Sequence, residues 1–103
     1  MDQRDSNLQM ERPQVGGYAI STGLMDISRK LERRLKEKGQ GSYASKHEIL
    51  GMFEEELLEL KEAIRDDSSK GFKHFADELL DLAIVGLFGY ICVSGGYIVP
   101  REE

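Results

Sequence analysis

The sequence predicts an all-α fold: an antiparallel bundle of about three main helices, completed by oligomerisation. Three observations predict it. One pattern is written twice, as Phe53-Glu54-Glu55-Glu56-Leu57-Leu58-Glu59-Leu60 and as Phe75-Ala76-Asp77-Glu78-Leu79-Leu80-Asp81-Leu82, with a polar break between the copies. At about 100° per residue each copy lays an apolar stripe on one helix face, Phe53, Leu57, Leu60 and Ile64 in the first and Phe75, Leu79, Leu82 and Gly86 in the second. The uncharged run Leu82–Val93 is apolar on nearly every face, which a helix tolerates only when it is surrounded.

Taken in order, residues 1–20 read as a flexible N-terminal arm, interrupted by Pro13, Gly16 and Gly17. Residues 21–96 form the helical domain and residues 97–103 a tail. From Leu24, Ile27, Leu31 and Leu35 recur at helical spacing, and Gly39 and Gly41 end this first helix. Arg29, Lys30, Arg33, Arg34 and Lys36 read as its solvated basic face, and the sharper alternative is that Lys36 or Lys38, near the helix end, helps hold a polyphosphate. Ser45-Lys46-His47-Glu48 is a capping box, so a second helix starts at Lys46 and runs to about Arg65. A third follows Ser68-Ser69, either of which can cap it, and continues to about Ser94, where Gly95 and Gly96 stop it. Within it, Gly86 and Gly89 indicate close helix packing. Three helices from one small chain cannot surround Leu82–Val93, which implies a homo-oligomer, dimer or tetramer, with that segment at the interface.

Composition narrows the function classes. A chain of 103 residues with 40% hydrophobic content makes one domain with a modest core. The net charge of −5, with no basic stripe, argues against binding a nucleic-acid polymer or an anionic membrane. Cys92 is the single cysteine, so no disulfide framework exists and a reducing compartment fits. Met1–Gln14 has no apolar signal region, and Leu82–Val93 falls short of the roughly 18 to 20 residues that cross a bilayer. A cytoplasmic protein is expected.

If the two acidic helices fold back through residues 65–70, Glu56, Glu59, Glu78 and Asp81 flank the apolar stripes on one side of the pair, with Glu56 and Glu78 at similar heights. Two carboxylates about 5 to 8 Å apart repel by roughly 2 to 3 kcal/mol at an effective dielectric near 20. Such a cluster needs bound protons or a cation, and oxygen-only ligation suits Mg²⁺, or Mn²⁺, rather than zinc. A di-iron Glu-x-x-His pattern is absent, because Ala44 and Gly71 stand three residues before His47 and His74. No EF-hand loop, Ser-His-Asp set or Gly-rich phosphate loop occurs. Cys92 reads as a packed thiol and His47 as part of the cap turn, while His74, one turn before Glu78, can support that carboxylate from behind. Glu54, Glu55 and Glu62 read as ordinary acids of a helix surface.

With these residues, the chain resembles the all-α nucleoside triphosphate pyrophosphatases of the MazG-like superfamily. The family pattern is E-E-x-x-E, a spacer, then E-x-x-D, and Glu55-Glu56-Leu57-Leu58-Glu59 and Glu78-Leu79-Leu80-Asp81 match it. The preceding amphipathic helix ending in Lys-Gly is also similar, so the resemblance covers roughly residues 24–89. It implies Mg²⁺-dependent hydrolysis of a (d)NTP to (d)NMP and pyrophosphate, with Glu56, Glu59, Glu78 and Asp81 as metal ligands and catalytic roles for Glu55 and Glu56. Members commonly have a further helix that supplies cations to the nucleotide. Here Lys38, Lys46, Lys61, Lys70 and Lys73 stand in the matched region or beside it, and Lys38 and Lys61 are assigned as substrate-binding. The rival expectations are a helical interaction module whose acidic face binds a basic partner, and a relative that keeps the metal site without activity.

Overall fold

The computed structural model describes residues 12–98. Three helices make up its regular structure, α1 (Gly17–Lys38), α2 (Lys46–Ile64) and α3 (Gly71–Ser94), and the described residues include no strand. The all-α expectation therefore holds. Residues 1–11 of the expected arm and residues 99–103 of the expected tail lie outside the described residues.

The helix α1 begins at Gly17, seven residues before the expected start at Leu24. It has no fully buried residue, and its first turn continues the same apolar line through Ile20, at i, i+4 and i+7 spacing with Leu24 and Ile27. It ends as expected: Gly39 takes φ 87°, a left-handed conformation that glycine adopts without strain, and donates its N–H to the Leu35 carbonyl at 2.8 Å. The Ser45 hydroxyl caps α2 by accepting from the Glu48 N–H at 3.1 Å.

The start of α3 differs from the expected serine cap. Its N-cap is Lys70, and no side chain caps it. The serine is used one step earlier, because Asp66 accepts from the Ser68 N–H at 3.0 Å and the Ser68 hydroxyl accepts from the Lys70 N–H at 3.2 Å. Two consecutive side-chain turns thus reverse the chain, which short Asp and Ser side chains do readily. At the far end, Tyr97 donates to the Cys92 carbonyl at 2.9 Å and Gly96 donates to the Val93 carbonyl at 3.2 Å. With Gly96 at φ 78°, this paired bonding closes the helix in a Schellman motif.

The helices α2 and α3 form the hairpin, and α1 approaches α3 but not α2. Small residues set the hairpin contact. A Cβ on Gly86 would lie 3.1 Å from the Phe53 ring, and one on Gly89 would lie 3.1 Å from the Ile49 side chain. Ala63, Ile84, Val85 and Cys92 are the buried hydrophobics, so Cys92 is a packed thiol. In the loop before α2, Tyr43 packs edge-on against Phe88 with ring centroids 5.3 Å apart.

This contact line is rotated from the expected one. The inward positions of α2 are Ile49, Phe53, Glu56, Leu60 and Ala63, whereas Leu57 and Ile64, expected on the apolar stripe, are exposed. On α3 the inward line includes Gly71, Phe75, Glu78, Val85 and Cys92, and Leu79 is exposed. Glu56 and Glu78 therefore face the partner helix instead of standing beside the contact.

Candidate metal centre

Glu56 and Glu59 sit three residues apart on α2, and Glu78 and Asp81 three apart on α3, so each pair occupies neighbouring positions on its own helix. The hairpin brings the pairs together. One carboxylate oxygen from each of Glu56, Glu59, Glu78 and Asp81 can be chosen so that all four lie within 4.8 Å of one another. Glu56, Glu78 and Asp81 are half-buried and Glu59 is exposed, so the group opens to solvent on the Glu59 side.

The electrostatics reflect the crowding. Burial, followed by the charges of Glu59, Asp81 and Glu78, pushes the Glu56 carboxyl up to about 7. Burial and the charges of Glu59 and Asp81 also raise Glu78. The Oε2 atoms of Glu56 and Glu78 are shut off from solvent and have no hydrogen-bond partner. Buried carboxylate oxygens without a donor are costly, at about 1 to 3 kcal/mol or more each, and a cation relieves them. The donor set fits a hard divalent ion: four carboxylates, no thiolate and no imidazole nitrogen at the centre.

Two further groups reach this centre. Lys30 of α1 forms an ion pair with Asp81, both side chains being a little over a quarter exposed. It was expected on the solvated basic face, and the structure corrects that. Lys30 lies about 60° from Ile27 around α1, at the margin of the apolar stripe, which is the signal that could have marked it. On the other side, His74 places Nδ1 3.0 Å from Asp66 Oδ2 and Nε2 3.9 Å from Glu78 Oε1. Hydrogen bonds from Ser68 and then from His74 hold Asp66 down at about 2, so it is an ionised acceptor and His74 Nδ1–H is the donor. His74 thus ties the hairpin turn to α3 and stands beside Glu78, beyond hydrogen-bond distance of it.

The remaining expected site residues lie outside the group. Glu55 is exposed and is not one of the four convergent acids. Lys38 and Lys61 are exposed, and neither is ion-paired with a described residue. Lys73 is engaged with Asp77 at 2.9 Å, a pair that holds the Asp77 carboxyl below its usual value. His47 is exposed in the first turn of α2. Comparison of the chain with protein-family models, with curated proteins and with solved structures finds no match.

Proposed function

We propose that this protein is a Mg²⁺-dependent nucleotide pyrophosphohydrolase of the MazG-like kind, which cleaves (d)NTP to (d)NMP and pyrophosphate and so removes unwanted nucleotides. The observation that carries the reading is the convergence of Glu56, Glu59, Glu78 and Asp81 with two buried oxygens left without a partner. The resemblance of E-E-x-x-E and E-x-x-D to the family pattern supports the step from a hard-cation site to triphosphate chemistry.

Glu56, Glu59, Glu78 and Asp81 would hold the ion. When bound, Mg²⁺ offsets the charge of the triphosphate and lowers the pKa of a coordinated water. Phe53 packed on Gly86 sets the spacing of α2 and α3, and with it the separation of Glu56 and Glu78 on the facing helices. Glu55, exposed one residue before Glu56, has a free carboxylate to accept a proton from water at the rim. The Asp66–His74 bond restrains the imidazole behind Glu78.

A second copy of the chain would cover the apolar surface that one copy leaves exposed, including Leu50, Leu57 and Ile64 on α2 and Tyr90, Ile91 and Val93 on α3. No helix among the described residues is long and apolar enough to cross a membrane.

The test is pyrophosphate release from a panel of ribo- and deoxyribonucleoside triphosphates, with Mg²⁺ and with chelator. Mg²⁺-dependent release of monophosphate and pyrophosphate is expected, and Glu56→Gln and Asp81→Asn should each lower it by at least about a hundredfold. Full activity in either variant would overturn the ligand assignment. Turnover of no nucleotide would overturn the enzyme reading.

A further inference from the structure

We propose that Lys30 is a displaceable counter-ion: its ammonium pairs with Asp81 while the acid cluster lacks a divalent cation, and moves to the phosphate of the anionic ligand once the cation binds. This rests on the reading of Glu56, Glu59, Glu78 and Asp81 as a Mg²⁺ site. Among the described residues, Lys30 is the one lysine or arginine paired with any of these four acids, and it arrives from α1, the helix that carries none of them. Its side chain and that of Asp81 are 28% and 29% exposed, so the pair stands at the solvent boundary and the ammonium can leave without being stranded in the interior.

The physical sequence follows from charge. A divalent ion shared by Asp81 repels an ammonium at the same carboxylate, and two like charges in one small site cannot both keep it. Lysine carries a compact, strongly hydrated charge on a flexible four-carbon stem, so a single-point contact can be exchanged with little strain. A phosphate oxygen held at the same ion offers that charge a new partner a few ångströms away. Lys30 would then supply the cationic contact that neither Lys38 nor Lys61 is placed to make at the acid cluster.

The experiment is calorimetric binding to wild type, Lys30→Gln, Lys30→Met and Lys30→Arg, first with Mg²⁺ alone and then with inorganic pyrophosphate at saturating Mg²⁺. Loss of the charge should tighten Mg²⁺ binding about five- to tenfold, because a competitor for Asp81 is gone, and weaken pyrophosphate binding about tenfold. Lys30→Met keeps the apolar stem and should show the same opposed shifts, while Lys30→Arg stays near wild type in both. A lysine that only ties α1 to α3 would weaken both affinities when removed, or move neither, and either result overturns the proposal. If wild type binds no Mg²⁺, the site reading fails together with this role. If wild type binds Mg²⁺ and the two shifts are not opposed, the Lys30 role alone fails. Circular dichroism of each variant shows whether the helices are retained.

Discussion

A carboxyl held near neutrality reverses the usual dependence of stability on pH. Glu56 is raised from 4.5 to about 7 in the folded chain, so between those values the folded state binds more protons than the unfolded state. Its contribution is fully present below the unfolded value and is lost as pH rises through the folded one. The cation-free protein should therefore lose stability from about pH 4.5 to about pH 7, and under the proposed function Mg²⁺ would take the place of the proton and stabilise it more at about pH 8 than at about pH 5.5. Thermal unfolding in chelator and in Mg²⁺ at both pH values measures this. Glu56→Gln should flatten the slope and leave the chelated protein as stable as wild type, or more so by on the order of 1 kcal/mol after solvent screening. An unchanged slope in the variant would assign the effect elsewhere. Asp66 behaves oppositely in a separate window, its stabilisation being present above 3.8 and lost as pH falls through about 2. Asp81→Asn differs from Glu56→Gln because it also strips Lys30 of its partner, so relief of repulsion is offset there. Asp66 was the residue hardest to find in the sequence, since an Asp in a polar turn looks the same whether or not it reaches a site, whereas Lys30 had only its place at the margin of the apolar stripe to mark it.

At the scale of an element, the N-terminus of α3 is the most constrained point. Gly71 is buried, and a Cβ there would lie 2.1 Å from the Asp66 carbonyl oxygen, a backbone atom that cannot swing aside. Gly71→Ala should cost about 1 to 3 kcal/mol despite the better helix propensity of alanine. Gly51, exposed within α2 with nothing within 4 Å of its would-be Cβ, is the control, and Gly51→Ala should gain about 1 kcal/mol. Urea unfolding of both variants gives the two signs, and equal effects would refute the packing argument. The existence of three helices, the Ser45 cap and the pairing of acids across the hairpin were legible in the sequence because each leaves a local pattern. The rotation of the helices was not. Periodicity marks a broad apolar arc on α2 that includes both Phe53 and Leu57, but the closest approach is chosen by Ala63, Gly86 and Gly89, whose small size draws the helices together. That choice turns Leu57 and Leu79 outward and Glu56 and Glu78 inward.

For the whole molecule, the apolar surface left uncovered is the main fact. Besides the exposed stripe Leu50, Leu57 and Ile64, a groove of about 560 Å³ between α1 and α3 is lined by Ile20, Leu24, Ile27, Leu79 and Leu80 among others. Surfaces of this kind are typical of subunit contacts. Sedimentation velocity at micromolar concentration should show a dimer or larger species, and Leu50→Lys should shift it toward monomer without loss of helix content. A wild-type monomer under those conditions would refute the expected association.

The hairpin also has a lever geometry. With α2 of 19 residues and α3 of 24 joined at Arg65–Lys70, the four acids stand roughly 8 to 15 Å from the turn, while the free helix ends lie roughly 28 to 36 Å away at about 1.5 Å per residue. Opening the hairpin by about 5° would part the free ends by roughly 2.5 to 3 Å but the acids by only about 1 Å. The Asp66–His74 bond lies near the fulcrum and ties the turn to the start of α3. Phe53 on Gly86 and Ile49 on Gly89 pack farther from the turn than the acids and oppose any such opening with the longer arm, so the spacing of the carboxylates is the part of the hairpin held most nearly fixed.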